Sequence, residues 1–444
     1  MQETKVALIG MGTVGTGVAQ ILLNHADRIA RHAGRRLQLA AVVVKDPSKA
    51  RRVDIPSAMI SDDLRLVTEN PEIRVVAHLM GGIEPARTVM LKLLESGKDV
   101  VTANKALLAE HGAELFDRAR SLGRSIAFEA SVAGGVPIIT NISQCLSANQ
   151  ILQLSGILNG TSNFIVSQME EHGRDYHAAL AEAQARGFAE ADPTMDVDGS
   201  DAAQKLAILA HLAFGARGPW QAIPRQGIDA LDPLDLKFAK DLGYRIKVLA
   251  TAKLHGVTAK LPAAPAEGAL ELHVAPTLVK IGTPMAEVRN AYNAISVEGD
   301  YVGRVFYHGL GAGAEPTASA VMADMIDTAV GRTAITFRTL ELWSEKHPQI
   351  ALVDHALVEG RYYLRLLVDD HPGVLAEIAS ILGRHRISIA SLIQREWEPA
   401  HPTAQASLVI MTHRASEGAA ARAVAELNRL SCVKQPCVRM RVAE

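Results

Sequence analysis

The sequence predicts an α/β fold class in three parts, on three observations. Near the N-terminus, Gly10-x-Gly12-x-x-Gly15 lies between a strand-like and a helix-like run, the arrangement of a Rossmann-like parallel-sheet domain. Short apolar runs then alternate with helix-like runs to about residue 130, as βαβ units do. Residues 360–444 read strand–helix–strand–strand–helix–strand, the βαββαβ order of a ferredoxin-like module. The middle mixes helices with alternating segments and predicts an α+β domain with a largely antiparallel sheet. The resulting division is 1–133 for the dinucleotide-binding domain, completed by about 309–330, then 134–308, a linking region 331–359, and the module 360–444.

Each element has a local reason. Residues 5–10 (KVALIG) and 37–44 (LQLAAVVV) are continuous apolar runs, as in strands covered on both faces. Residues 14–23 read as the helix after the glycine loop, and 73–79, 85–95, 99–102, 106–121 and 125–128 continue the alternation. Beyond Gly134 come a strand at 151–158, helices at 176–186 and 201–214, a stretch 255–271 broken by Pro and Gly, and alternation over 295–307. Gly309-Leu310-Gly311-Ala312-Gly313 interrupts, and a helix at 317–330 returns the chain to the first domain. In the tail, strands are expected at 362–368, 387–394, 406–412 and 438–442, and helices at 374–383 and 417–430. The first of these helices puts Val374, Leu375, Ile378, Ile381 and Leu382 on one face.

Composition excludes several classes. The chain has 444 residues, room for about three domains of ~150. Forty-six basic against 48 acidic residues give a net charge of −2, which argues against a nucleic-acid partner. Three cysteines rule out a disulfide scaffold and fit a reducing compartment. No signal peptide or membrane-length apolar run is evident, so a soluble cytoplasmic protein is expected.

The glycine loop suits a dinucleotide. Gly10 permits a tight turn, Gly12 lets backbone approach a pyrophosphate, and Gly15 allows close helix–strand packing. At the end of the second strand, Lys45, Asp46, Lys49, Arg51 and Arg52 follow in order. An acid there suits NAD and a base suits NADP. Lys45 and Arg51 favour NADP, and Asp46 keeps NAD open.

More specific motifs lie further along. Residues 128–137 (FEASVAGGVP), Asn159-Gly160-Thr161-Ser162-Asn163, residues 187–205 (GFAEADPTMDVDGSDAAQK) and Val101-Thr102-Ala103-Asn104-Lys105 together resemble the homoserine dehydrogenases. Asp370-His371-Pro372-Gly373-Val374-Leu375 is similar to the start of an ACT regulatory domain, which makes the whole resemble the bacterial monofunctional form of that family. His78, in Ala77-His78-Leu79-Met80-Gly81-Gly82, departs from the acidic residue the pattern carries there. The resemblance implies reversible NAD(P)H-dependent reduction of L-aspartate 4-semialdehyde to L-homoserine, on the route to threonine, methionine and isoleucine. It makes the middle domain catalytic and dimerising.

Reducing an aldehyde requires a proton donor at the carbonyl oxygen. The resemblance assigns that role to Lys205. Asp201, four residues earlier, shares its helix face, although such a pair is also an ordinary surface feature. Lys105 would polarise the carbonyl or orient cofactor and substrate, and spacing alone leaves the proton to either lysine. Glu190 and Asp196 would hold the substrate ammonium, with Asp201, Asn159 and Thr161 beside them. Backbone at Gly10, Gly12, Thr13, Val14 and Gly15 would meet the pyrophosphate, with Gly81, Gly187 and Gly313 against the cofactor. Glu129 and the carbonyls of Val132, Gly134 and Val136 would form a sodium or potassium site, or Glu129 would simply cap backbone amides.

The ACT-like tail implies an amino-acid effector, threonine first, or else a dimerisation module without a ligand. A homodimer or homotetramer is expected. Two rivals remain at this stage. An aspartate-semialdehyde dehydrogenase needs a nucleophilic cysteine, and Cys145, in Ser143-Gln144-Cys145-Leu146, has no activating motif around it. A non-catalytic amino-acid sensor on a nucleotide fold would have no use for the Glu190/Asp196/Asp201/Lys205 set.

Overall fold

The computed structural model describes residues 2–256, 268–344, 350–396 and 405–443. They form two compact units. The first comprises Met1–Leu154, Asp201–Ile223 and Tyr292–Ile350; the second comprises Ser155–Ser200, Pro224–Ala291 and Ala351–Glu444. These units cut the chain differently from the division read off the sequence, because the middle region contributes to both.

The first unit is built on a six-stranded sheet. Its spatial order is Ile60–Ser61, Arg35–Val43, Gln2–Ile9, Ile73–His78, Asp99–Thr102, Ile126–Ala127, with every pairing parallel. The order reverses on either side of the first strand, the doubly wound arrangement that places a dinucleotide beyond the strands' carboxyl ends. Val6, Leu8, Val42 and Val75 are buried with Val18 and Leu22 of helix Thr13–Asn24. Helix Ala314–Val330 adds Ala318, Val321, Met322 and Met325 to the same core. Gly17 permits the approach of the two helices, since a Cβ there would lie 2.9 Å from the Ala318 Cβ. An antiparallel hairpin, Tyr292–Gly299 with Gly303–Leu310, belongs to this unit.

The second unit centres on a long antiparallel pair, Tyr244–His255 with Ala269–Lys280. Strand Ala269–Lys280 continues in parallel to Val438–Val442. That strand pairs with Glu359–Asp369, which pairs with Gln405–Thr412, which pairs with Ile389–Glu396. With helices Val374–Arg384 and Glu417–Leu427, this is the expected βαββαβ module. Val374, Ile378, Ile381 and Leu382 are buried in its core as expected. Leu375 is 41% exposed; it lies at the edge of the helical stripe and turns outward.

Two helices and a strand pair go beyond the elements expected from the sequence. Helix Gly160–His172 is started by the Asn159 side chain, which accepts from the Ser162 amide. Helix Pro233–Asp241 opens on a capping box between Asp232 and Asp235. The pair Tyr244–His255 and Ala269–Lys280 is buried along most of its length, so period-2 alternation is blurred. The expectations over 255–271 and 331–359 fall partly outside the described residues.

Candidate active site

The glycine loop behaves as its sequence requires. Gly10 has φ +96°, and a Cβ on it would lie 2.8 Å from the Leu79 carbonyl oxygen. A Cβ on Gly15 would lie 2.4 Å from the Gly10 carbonyl oxygen. Both positions are closed to any side chain by backbone. At Gly12 a Cβ would meet nothing within 4 Å, so that face is open to a ligand. Gly12 caps helix Thr13–Asn24 with no side-chain hydrogen bond and no acid in the first turn. Amides at the start of that helix therefore face open space with a positive field, as a pyrophosphate needs. These residues fit a dinucleotide.

The neighbouring loop is tied to the lysine-bearing helix. Asn104 caps helix Lys105–Ser121, accepting from the Leu107 amide. Its amide nitrogen donates to the Met80 carbonyl at 3.0 Å and the Gly82 carbonyl at 2.6 Å. Gly81 is thus held beside the start of the Lys105 helix by one side chain. An asparagine immediately before a helix is a sequence-level cap signal, and this role of Asn104 was missed.

The central cluster also lies in the first unit. Asp201 is buried in helix Ser200–Phe214, and Lys205 one turn later is 9% exposed. The Lys205 ammonium lies 2.7 Å from Asp201 Oδ2, and the Lys105 ammonium 3.0 Å from Asp201 Oδ1. One buried carboxylate therefore stands between two ammonium groups. The helical spacing made the first contact readable; the second joins helices distant in sequence.

The other substrate candidates lie in the second unit. Asn159 Nδ2 donates to Asp196 Oδ1 at 2.7 Å. The Thr161 hydroxyl donates to the Phe188 carbonyl at 2.7 Å, next to Gly187 with its φ of +74°. The Asn-Gly-Thr tripeptide thus fixes both ends of the acidic loop. Glu190 is exposed, and its carbonyl accepts from Gln184.

Around the second strand's end, Lys45 and Asp46 are exposed. Asp46 Oδ1 accepts from the Ser48 amide and hydroxyl, and these bonds lower its pKa. Arg51 folds back onto the carbonyls of Asp46, Pro47 and Lys49. The turn is therefore organised with its acid already engaged.

Glu129 is buried, and its carboxylate accepts from the Ile139 amide and from the amide and hydroxyl of Thr140. Desolvation raises its pKa despite those bonds. Asp324, missed in the sequence, accepts from the Glu129 amide at 2.8 Å. Burial, then the nearby Glu129, hold the Asp324 carboxyl well above the usual range. Val132, Gly134 and Val136 are buried in the following turn. Gly313, with φ +117°, starts helix Ala314–Val330. His78 ends strand Ile73–His78 fully buried, and desolvation drops its pKa to about 4. It presents a neutral ring at the end of that strand.

A doubly wound sheet, a ligand-ready glycine loop and a lysine–carboxylate–lysine cluster define a nicotinamide-dinucleotide-dependent oxidoreductase. Comparison with known proteins narrows the class. Residues 137–326 match the model for homoserine dehydrogenase, residues 10–129 its NAD-binding domain, and residues 362–432 the ACT domain. The chain is 43% identical to a homoserine dehydrogenase of Pseudomonas aeruginosa, covering 100% of each. It is 40% identical to one of Neisseria gonorrhoeae, covering 100% of this chain and 99% of the relative. A solved homoserine dehydrogenase from Thiobacillus denitrificans superposes with a TM-score of 0.88 at 38% identity, over 100% of this chain and 99% of that one. The chain belongs to the homoserine dehydrogenase family, and it catalyses the reversible NAD(P)H-dependent reduction of L-aspartate 4-semialdehyde to L-homoserine. The semialdehyde dehydrogenase and non-catalytic readings are thereby set aside. Among the described residues, no helix is long and apolar enough to cross a membrane.

Proposed function

We propose that Lys205 is the proton donor of this reaction, positioned by Asp201. The supporting observation is the pair of ammonium groups on the Asp201 carboxylate. The bound nicotinamide supplies hydride to the aldehyde carbon in the reducing direction. Lys205 gives its proton to the carbonyl oxygen as that oxygen gains charge, and recovers one in the reverse direction. Asp201 keeps both lysines in register, and Lys105 polarises the carbonyl or orients cofactor and substrate. Glu190 and Asp196 take the substrate ammonium, with Asn159 holding Asp196 and Thr161 holding the loop. Lys205→Ala is expected to lower kcat by at least ~10² with dinucleotide affinity little changed, measured by nicotinamide absorbance and by dinucleotide titration. Near-normal turnover would remove Lys205 from the role.

The cofactor contacts follow the glycine loop: Gly10, Gly12, Thr13, Val14 and Gly15 at the pyrophosphate, and Gly81, Lys105, Gly187 and Gly313 nearer the nicotinamide half. Lys45 and Arg51 favour NADP, and the ratio of kcat/KM for NADPH and NADH tests that preference. Glu129 with the carbonyls of Val132, Gly134 and Val136 would bind sodium or potassium. A carboxylate has about four acceptor sites, so the three bonds on Glu129 leave room for a cation. Assay in buffer free of both ions tests this, and unchanged activity and stability would count against it. The C-terminal module would bind threonine as effector, with the turn before helix Val374–Arg384 the first candidate site. The protein would work in the cytoplasm as a homodimer or homotetramer, its mass in solution being the check on assembly.

A further inference from the structure

We propose that Lys247 is a positioning residue for the amino-acid substrate: from inside the second unit it fixes helix Gly160–His172, whose start carries the contacts to Asp196 and the Phe188 carbonyl. This rests on the reading of Asp196 as a partner of the substrate ammonium.

Lys247 sits on strand Tyr244–His255, between Ile246 and Val248, and is fully buried. A lysine is almost never placed so deeply unless it is paired. Its ammonium donates to the Val288 carbonyl at 2.5 Å and to Asn163 Oδ1 at 3.3 Å. Both acceptors are neutral, and burial brings its pKa down to about 8. Glu170 and Glu287, whose charges reach Lys247, are paired instead with Arg245 and Arg289. A buried charge held by neutral oxygens costs free energy, and an apolar side chain would fill the strand interior more favourably. Stability alone is therefore a poor account of this lysine.

The ammonium closes a polar network between the helix and a turn. Asn163 Nδ2 donates to the Asn290 carbonyl at 2.8 Å. The Ser167 hydroxyl donates to the Asn163 carbonyl at 2.7 Å and accepts from the Asn290 amide at 3.2 Å. Asn290 has φ +54°, a left-handed conformation that a side-chain-bearing residue adopts when its surroundings hold it there. Lys247 bridges both parts, through Asn163 on the helix and Val288 on the turn. A connected buried network of this kind specifies one arrangement.

The start of the same helix meets the acidic loop. Asn159 caps the helix and donates to Asp196, and Thr161 donates to the Phe188 carbonyl, each at 2.7 Å. Asn163 lies one turn after Asn159 on the same helix. Lys247 thus sets where that first turn stands, and with it the position of Asp196. A displacement of about 1 Å is enough to matter at a reacting site.

The test is the steady-state oxidation of L-homoserine by the full chain carrying Lys247→Met, Asn163→Ala, both together, Asp196→Asn or Asp235→Ala. Lys247→Met and Asn163→Ala should each raise KM for L-homoserine by about tenfold, with kcat and the dinucleotide KM within about threefold of the wild type. The double variant should be little worse than either single one, because the two residues act as a unit. Asp235→Ala removes the partner of Arg365 elsewhere in the second unit, so it should lower the thermal midpoint and leave KM for L-homoserine alone. The same rise in KM in Asp235→Ala would mean general loosening and overturn the proposal. If Lys247→Met does not fold, Asn163→Ala decides, and an L-homoserine KM within about twofold of the wild type overturns it. Asp196→Asn should raise KM for L-homoserine by itself. A raised KM there with normal values in Lys247→Met and Asn163→Ala would overturn the positioning role and keep the ammonium reading; a normal KM in Asp196→Asn would overturn both.

Discussion

Two buried aspartates, one in each unit, are each gripped by cationic neighbours, and the cations differ. Asp201 in the first unit stands between Lys105 and Lys205. Asp235 in the second unit, fully buried, takes two bonds from Arg365 at 2.5 and 2.9 Å and one from the Tyr363 hydroxyl at 3.0 Å. Lysine can release a proton when its surroundings favour it; arginine stays charged throughout the working range. The lysine cluster is thus fit for chemistry. The arginine cluster is a clamp, fastening strand Glu359–Asp369 of the C-terminal module to helix Pro233–Asp241.

If that distinction holds, removing each acid should damage a different property. Asp235→Ala leaves the Arg365 charge buried and uncompensated, with an expected loss of roughly 3–5 kcal/mol of stability. Denaturant unfolding measures it, and a loss under about 1 kcal/mol would mean that the clamp is dispensable.

A pH scan sharpens the contrast without mutation. Burial holds His78 and His211 of the first unit at pKa about 4, against an ordinary 6.5. The unfolded chain takes up these protons below pH 6.5 while the native chain resists until about pH 4. Their contribution is therefore complete above 6.5 and is lost between 6.5 and 4, up to roughly 3 kcal/mol for each histidine. Arg365 remains charged over the whole range. Thermal midpoints should fall from pH 7 to pH 5, and His78→Leu should flatten the slope; an unchanged slope would show that His78 is protonated in both states or in neither.

The smallest expected effect separates two glycines of one loop. Gly15→Ala puts a Cβ 2.4 Å from backbone and should lower the thermal midpoint by several degrees, while Gly12→Ala meets no protein atom within 4 Å. Gly12→Ala should leave the midpoint alone and raise KM for the dinucleotide. Equal loss of stability in both variants would mean that Gly12 serves packing.

What the sequence made legible was local. The glycine loop could be read because each glycine's constraint lies within a few residues or in the adjoining strand. The Asp201–Lys205 pair could be read because helical spacing sets it. Partnerships over long separations could not be read: Asp235 with Arg365, 130 positions apart; Asn159 with Asp196, 37 apart; Lys105 with Asp201. Motif resemblance named Asn159, Asp196 and Lys105 as site residues, but the Asn159–Asp196 and Lys105–Asp201 contacts come from the fold. The exposed Leu375 shows the limit of periodicity, since a residue at the edge of an apolar stripe faces whichever way the neighbouring sheet permits.

The most direct measurement is the rate of Lys205→Arg, which keeps the positive charge beside Asp201 but cannot give up a proton at working pH. Turnover of L-aspartate 4-semialdehyde reduced by at least ~10², with dinucleotide affinity near that of the wild type, is the result expected of a proton donor. Arginine supporting turnover within tenfold of lysine would show that only charge is needed at position 205, and would contradict the assignment.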